Sequence, residues 1–239
     1  MRRLLLASKD FGLILSSNQL ELFEEYFSLI NEWKSKVNLT NITEREKVIN
    51  LHFVDSLSAI LALKNRDLNR QIVLDMGTGA GFPSVPLKIA FPSMKLNLIE
   101  SNQKKISFLK DLIEKLHLRD VFLNHGRAED FAHDPLMREK FDLVFARSVA
   151  KLNVLSELTL PFLAIEGKAI FHKRFPIDDE LENSKFSINI LGGSNPEIFP
   201  VNHASLPDRS ILVKILKTTP SPLKYPRRVG IPNKRPLSG

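Results

Sequence analysis

One stretch of the chain, residues 71–100, constrains the fold more than any other. It reads QIVLDMGTGAGFPSVPLKIAFPSMKLNLIE: an apolar run ends at Asp75, a glycine cluster and a helical pattern follow, and a second apolar run ends at Glu100. The order strand, glycine loop, helix, strand is typical of the first unit of a nucleotide-binding α/β sheet. Glycine lets the backbone approach a ligand closely, so we expect Gly77 and Gly79 to border a cofactor.

The spacing of the glycines limits which cofactor this is. In Gly77-x-Gly79-x-Gly81 the third glycine comes one residue earlier than in the dinucleotide fingerprint G-x-G-x-x-G, and Phe82 takes its place. No P-loop motif for a triphosphate occurs in the chain. The pattern predicts a nucleoside ligand without a diphosphate, with S-adenosylmethionine as the leading candidate. Glu100, about 20 residues beyond the loop, stands where a carboxylate accepts the hydroxyls of a ribose.

The alternation of strands and helices continues through the chain and predicts a Rossmann-like α/β fold. We divide the chain into an N-terminal helical extension (1–70), a cofactor-binding core (71–219) and a basic, proline-rich tail (220–239), which together form one compact domain. Helix start signals are expected at Asn18 with Glu21 and at Thr43 with Glu46. The later elements are predicted as strands 121–123 and 141–146, a helix 152–163, a turn at Gly167, a strand 169–172 and a hairpin of 186–190 with 211–216.

Ligands of open α/β sheets bind outside the carboxyl ends of the strands. This rule places the glycine loop, Glu100, Ala128, Glu129 and Arg147 along one rim. A separate group, His52, Asp55 and Ser56, looks like a hydrolase triad, but one helix face does not orient a nucleophile, a base and its partner independently. We expect a hydrogen-bonded helix junction there.

Composition excludes several classes of chemistry. The chain has no cysteine, which removes disulfides, thiolate metal sites, iron–sulfur clusters and a cysteine nucleophile. Its six histidines show no ligand spacing, so no metal is expected. No run approaches the roughly 20 apolar residues of a membrane span. We expect a soluble, cytoplasmic protein, and a monomer.

The C-terminal part of the chain carries its excess positive charge. The net charge is +7 with pI ≈ 9.6, and no acidic residue follows Asp208. Several prolines disfavour regular structure in this part. We predict an extended cationic strap that binds RNA or DNA, with Tyr225 stacked on a base; a merely solvated tail is the alternative. The candidate RNA-binding residues are Lys224, Arg227, Arg228, Lys234 and Arg235.

Five segments resemble the GidB (RsmG-type) family of small-subunit ribosomal RNA guanine-N7 methyltransferases. They are VNLTNIT (37–43), LHFVDSL (51–57), LDMGTGAGFPSVPLKIAFP (74–92), KKISFLKDLIEKLHL (104–118) and KYPRRVGIPNKRPL (224–237). The resemblance implies a class I methyltransferase sheet, S-adenosylmethionine as methyl donor and one guanosine of 16S rRNA as acceptor. By position it implies cofactor contacts at Gly77, Phe82, Ala128, Glu129 and Arg147, with the ribose carboxylate at Glu100.

The chain departs from the family pattern at several positions. The family usually has proline, leucine, glycine and aspartate where this chain has Ala80, Phe82, Ser84 and Glu100. It reads Ser-Arg-Ala where this chain has Ala146-Arg147-Ser148, and glycine where this chain has Arg174. Lys173 keeps the family's lysine, and Arg147 and Lys173 are the candidate catalytic residues.

Guanine N7 carries a lone pair in the ring plane and no proton, so its methylation needs no general base. The Asn/Asp-Pro-Pro-aromatic motif of exocyclic-amine methyltransferases is absent after the fourth strand, where Arg147 and Ser148 stand. Three alternatives stay open. They are a methyltransferase for another RNA, a protein or a small molecule, a non-catalytic nucleic-acid-binding module, and, ranked last, a nicotinamide oxidoreductase.

Overall fold

The computed structural model of the protein describes residues 1–147 and 150–238. A seven-stranded sheet has the strand order β3-β2-β1-β4-β5-β7-β6. β1 to β5 pair in parallel, and β7 runs antiparallel to both β5 and β6. The strands are β1 (Ile72–Met76), β2 (Lys95–Glu100), β3 (Val121–His125), β4 (Phe141–Arg147), β5 (Leu163–Arg174), β6 (Glu197–Pro200) and β7 (Ser210–Leu216). This arrangement is the predicted Rossmann-like α/β sheet.

Helices cover both faces of the sheet. They are α1 (Arg2–Asp10), α2 (Ser17–Trp33), α3 (Arg45–Val48), α4 (Asp55–Leu57), α5 (Ser84–Ala90), α6 (Gln103–Lys115), α7 (Ala128–Phe131), α8 (Leu152–Thr159), α9 (Asp178–Ile190) and α10 (Ile231–Lys234). A π-helical segment, Ile49–Val54, joins α3 to α4, and a 3-10 segment, Ser58–Ala62, follows α4. Among the described residues, none of the helices has the length and apolar character needed to cross a membrane.

Alternate side chains of the central strands pack into two separate hydrophobic cores, because successive residues of a strand point to opposite faces. Val73 belongs to the core shared with the N-terminal helices, α5 and α6. Its neighbour Leu74 belongs to the core shared with α8, α9 and the C-terminal tail, which contributes Tyr225 and Leu237. The N-terminal helices therefore form an outer layer on one face, and the tail packs on the other.

The N-terminal layer is helical as predicted, but the residues that cap the starts of its helices differ from the predicted ones. α2 begins after a capping box in which Ser16 and Gln19 bond each other's backbone N–H groups, so the predicted pair of Asn18 and Glu21 is wrong by two positions. The Gln19 amide also donates to the carbonyl of Ile89 (2.8 Å), which ties the layer to α5. α3 begins after Glu44 with no side-chain cap, so the predicted signal at Thr43 and Glu46 is wrong too.

The predicted hairpin partner 186–190 is wrong, because these residues end helix α9. α9 starts with three acidic residues, which a helix N-terminus favours. Its buried Ser187 and Ile188 follow the buried Ser184 by three and four residues, as on one helix face. The hairpin is formed by β6 and β7 instead. α8 ends at Thr159, earlier than predicted, and Gly167 lies inside β5 rather than in a turn.

Candidate active-site crevice

A crevice of about 790 Å³ lies at the carboxyl ends of β1, β2, β4 and β5. The sheet side of its wall includes Gly79, Glu100 and Arg147, and the N-terminal layer adds His52 and Asp55. Its volume is in the range of cofactor and small-molecule sites. Of the predicted rim, the glycine loop, Glu100 and Arg147 line this crevice, and the N-terminal layer closes it from the side.

The glycine loop is fixed to the end of β2 by Glu100. The Gly79 N–H donates to Oε2 of Glu100 (3.0 Å), and the Asn102 N–H donates to Oε1 (2.8 Å). Gly79 has φ +61, and the nearest atoms to a Cβ placed there would lie 4.0 Å away. The loop thus presents open backbone toward the crevice beside a carboxylate, as the ribose prediction requires.

Gly81 serves packing rather than ligand access. A Cβ there would lie 2.7 Å from the Tyr26 hydroxyl oxygen and 2.8 Å from a methyl group of Val85. The same hydroxyl donates to the carbonyl of Ala80. Because Gly81 has no side chain, helix α2 packs closely against the glycine loop. This packing helps to hold the shape of the loop.

Asp75 fixes the other side of the loop without lining the crevice. Its Oδ2 accepts from the Thr78 hydroxyl (2.9 Å) and from the Ser84 N–H (3.3 Å). Complete burial raises the pKa of its carboxyl from 3.8 to about 7, and these hydrogen bonds offset only part of that rise. Asp75 is therefore a support for the loop that resists ionisation.

An Asp75→Asn variant is expected to change how stability depends on pH. A carboxyl whose folded pKa is raised contributes stability at low pH that is lost as pH rises from the unfolded pKa toward the folded one. Relative to wild type, the variant should gain about 1–3 kcal/mol of unfolding free energy between about pH 4 and about pH 8. Urea unfolding of both proteins across this range measures the difference, and a constant difference would contradict the assignment.

Arg147, at the end of β4, joins the sheet to the N-terminal layer. Its Nη1 donates to Oδ2 of Asp55 (2.9 Å) and to the carbonyl of Leu51 (3.2 Å). Its Nη2 lies 3.2 Å from Nδ1 of His52, and its guanidinium lies 4.9 Å from the centre of the Phe82 ring. The predicted cofactor residues Phe82 and Arg147 are thus brought together over the loop. Ser148, which follows Arg147, lies outside the described residues.

His52 is held in one tautomer. Its ring stacks on Phe82 at 4.6 Å, Nδ1 accepts from Arg147, and Nε2 therefore donates to the Thr40 hydroxyl (2.8 Å). Burial lowers the pKa of His52 to about 4, so the ring is neutral at neutral pH. The Ser56 hydroxyl donates to the His52 carbonyl of its own helix. The group is the expected hydrogen-bonded helix junction and not a hydrolase triad.

Lys173 lines the crevice, but its ammonium group is bonded elsewhere. Nζ donates to the carbonyl of Ala150 (2.8 Å) and pairs with Glu180. The Glu180 carboxylate also accepts from the N–H of Leu152. These contacts hold the start of α8 against the end of β5. They fit a positioning role for this catalytic candidate better than proton transfer.

Glu129 points away from the crevice. Its Oε1 accepts from the Gly230 N–H of the tail (3.0 Å), and the crevice is lined by the preceding Arg127 instead. In this structure the carboxylate is engaged by the tail, and the contact of Glu129 with the cofactor stays a prediction. Ala128 and Glu129 begin helix α7, where N–H groups lack helical partners, and their backbone stays the predicted cofactor contact.

The C-terminal tail is folded onto the protein and is not an extended strap. Tyr225 is buried, so the predicted base stacking on this ring is wrong. The N–H, Nε and Nη2 of Arg227 all donate to Glu157, whose side chain is completely buried. Arg138 adds hydrogen bonds to the carbonyls of Ser221, Pro222 and Tyr225. Of the five RNA-binding candidates, Arg227 is engaged internally, while Lys224, Arg228, Lys234 and Arg235 are exposed.

Sequence reasoning did not assign His52, Asp55 or Thr40 to the crevice. Their position in the segments 37–43 and 51–57, which carry the family resemblance, was the sequence feature that could have assigned them to the crevice. Among the described residues, no group of three or more histidine or acidic side chains is arranged to hold a metal ion.

Two solved structures share the fold of this chain. A mutant of MtNAS in complex with S-adenosylmethionine aligns with TM-score 0.57 at 16% identity, covering 84% of this chain and 72% of that one. A predicted O-methyltransferase from Agrobacterium tumefaciens aligns with TM-score 0.52 at 15% identity, covering 70% and 82%. The fold and the glycine-loop crevice at the strand ends define a class I S-adenosylmethionine-dependent methyltransferase fold.

The family follows from sequence. Residues 19–211 match the family described as GidB, rRNA small subunit methyltransferase G. A curated relative from Streptococcus pyogenes serotype M2, named ribosomal RNA small subunit methyltransferase G, is 46% identical over 230 residues, covering 95% of this chain and 94% of its own length. One of the same name from Streptococcus uberis is 43% identical over 235 residues, covering 97% of each. The chain belongs to the GidB family of methyltransferases, and the expected membership is confirmed.

Proposed function

We propose that the protein transfers a methyl group from S-adenosylmethionine to N7 of one guanosine in 16S rRNA. The observation that carries the proposal is the crevice in a member of this family: a glycine loop with open backbone, fixed to Glu100, at the carboxyl ends of parallel strands. In this proposal the protein is a cytoplasmic, monomeric enzyme. Its helical extension is residues 1–70, its catalytic core is residues 71–219 and its tail is residues 220–239.

The crevice residues suit binding and orientation. When bound, the donor supplies an electrophilic methyl group on its sulfonium. Glu100 accepts the ribose hydroxyls while keeping its bond to Gly79, since each carboxylate oxygen has two lone pairs. Phe82 offers an apolar wall, and the backbone of Ala128 and Glu129 bonds the adenine. Orientation of donor and acceptor in line supplies most of the rate enhancement.

No proton transfer is required of the crevice histidines. Both ring nitrogens of His52 are engaged, by Arg147 and Thr40. Nε2 of His172 donates to the carbonyl of Asp55 (3.0 Å), and burial lowers the pKa of His172. Both nitrogens of His52 and Nε2 of His172 are thus engaged, and both rings are neutral, which fits an acceptor atom, such as guanine N7, that carries a lone pair and no proton.

The test is to map N7-methylguanosine in 16S rRNA from cells with and without the protein. We expect one modified guanosine to disappear without it and to return with the wild-type gene. Labelled donor with purified small subunits or with protein lysate separates an RNA substrate from a protein substrate. Persistence of every N7-methylguanosine without the protein, or label only in protein or small molecules, would overturn the proposal.

A Glu100→Gln variant is expected to weaken binding of S-adenosylmethionine by about tenfold to a hundredfold, because charged hydrogen bonds to the ribose are replaced by neutral ones. Gln keeps one oxygen that accepts from the Gly79 N–H and loses only the bond from the Asn102 N–H, so the fold should be retained. Calorimetric titration measures the affinity, and a thermal melt without ligand is the control. Unchanged affinity would remove Glu100 from the ribose site.

A further inference from the structure

The described lining of the crevice contains two carboxylates, and they stand on different walls. Glu100 belongs to the sheet and has an N–H group on each oxygen. Asp55 comes from the N-terminal layer, where Oδ2 pairs with Arg147 at 2.9 Å. Within the described residues, Oδ1 of Asp55 has no hydrogen-bond partner, and the side chain is 19% exposed. Within the described residues, Asp55 thus offers the crevice an acceptor that comes from the N-terminal layer and not from the sheet.

Asp55 is held in place on two sides. Arg147 bonds its carboxylate, and His172 donates to its backbone carbonyl (3.0 Å). Oδ2 keeps a second lone pair beyond its bond to Arg147, so both oxygens of the carboxylate can accept from a ligand at the same time. Rigid support of this kind is what a site that discriminates between similar ligands requires.

Guanine is the RNA base that suits such an acceptor pair. If its N7 faces the methyl donor, its Watson–Crick edge points away from the donor, with N1–H and the 2-amino group as two neighbouring donors. Adenine has an acceptor at N1, and so does cytosine at N3, so neither offers this pair. RNA-binding proteins commonly read unstacked bases on this edge.

We propose that Asp55 selects guanine by accepting from N1–H and the 2-amino group of the target base. The proposal rests on the proposed methylation of guanine N7 and names the residue that makes the site specific for that base. It also accounts for the N-terminal layer in the crevice wall: the sheet holds the donor, and Asp55 of the added layer holds the acceptor base.

The test removes the 2-amino group from the target base and, separately, replaces the carboxylate of Asp55. Small subunits are reconstituted with 16S rRNA that carries guanosine or inosine at the mapped target, and kcat/KM is measured for both. Inosine keeps N7 and N1–H and lacks the 2-amino group. We expect wild type to prefer guanosine by at least about tenfold, the size of a good base contact. Asp55→Asn, whose amide offers a donor in place of one acceptor, should lower the rate on guanosine and bring the ratio near one.

Controls separate base selection from loss of the site. Glu100→Gln should slow both substrates and keep the wild-type ratio, and Asp55→Asn should keep the affinity for S-adenosylmethionine. If Asp55→Asn shows no turnover, the ratio is taken from Asp55→Glu, which keeps the charge and displaces the oxygens. Equal wild-type rates on guanosine and inosine, or a wild-type ratio in the Asp55 variant that turns over, would overturn the proposal. Failure of the proposed function appears differently, as no methylation of guanosine by wild type.

Discussion

An Arg227→Met variant is expected to unfold with a free energy about 3–5 kcal/mol smaller than wild type, because it leaves the buried Glu157 carboxylate without its cation. Glu157 is completely buried on α8, and Arg227 bonds both of its oxygens. This hydrogen bonding also raises the pKa of Arg227. Urea unfolding measures the loss, and limited proteolysis should show cleavage near residue 220 in the variant.

Two further variants test whether the lost unfolding free energy comes from leaving the buried Glu157 carboxylate unpaired. Lys185→Met removes one partner of an ion pair with Glu182, in which both side chains are more than half exposed, and should change stability by less than about 1 kcal/mol. Joining Glu157→Met to Arg227→Met should recover most of the loss, because apolar groups replace a buried pair well. If Arg227→Met unfolds within about 1 kcal/mol of wild type, the pair does not hold the tail.

Replacing Lys224, Arg228, Lys234 and Arg235 together by Gln is expected to lower methylation of small subunits by about a hundredfold to a thousandfold at physiological salt. Four lost phosphate contacts should also reduce the salt slope of RNA binding by about three. These four side chains are exposed, and Arg227 is left intact so that the tail stays folded. Filter binding at several salt concentrations and initial methylation rates measure the two effects.

The matched control neutralises four basic residues that lie before β1 or at the amino ends of β2, β3 and β4, whereas the crevice lies at the carboxyl ends of the strands. They are Lys64, Lys95, Arg119 and Lys140, all exposed. This variant has the same net charge and should methylate at close to the wild-type rate. Equal losses in both variants would show that overall charge, and not the tail surface, attracts RNA. Affinity for S-adenosylmethionine should be unchanged in each.

The sequence predicts the parallel part of the sheet and the meeting of the glycine loop with Glu100 well, because short-range patterns determine them. The glycine cluster forms one turn after β1, and Glu100 ends β2, the next strand along the chain. The short sequence distance between them makes the bond between Gly79 and Glu100 predictable. The error at 186–190 has a local cause as well. Its alternation of apolar and polar residues suits a strand, while the acidic start at Asp178 and the buried spacing of α9 favour a helix.

The fold of the tail and the position of Asp55 in the crevice could not be predicted because their contacts join distant parts of the chain. Nothing near Arg227 shows that Glu157, 70 residues earlier, is its partner. A carboxylate within the apolar pattern of α8 was the available signal for a buried ion pair. Similarly, Asp55 looked like part of a helix junction, which it is. The second role that we propose for Asp55 depends on its bond to Arg147, 92 residues away.

The hydrogen bond from Gly79 to Glu100 has a consequence for how ligands arrive. A sugar that bonds to this carboxylate meets a loop whose shape is already set by the pairing of β1 with β2. Entry then exchanges water for sugar hydroxyls, and little chain entropy is lost in that step because it was lost when the sheet formed. Damage to this strand pairing should therefore reduce affinity for the nucleoside together with the stability of the sheet.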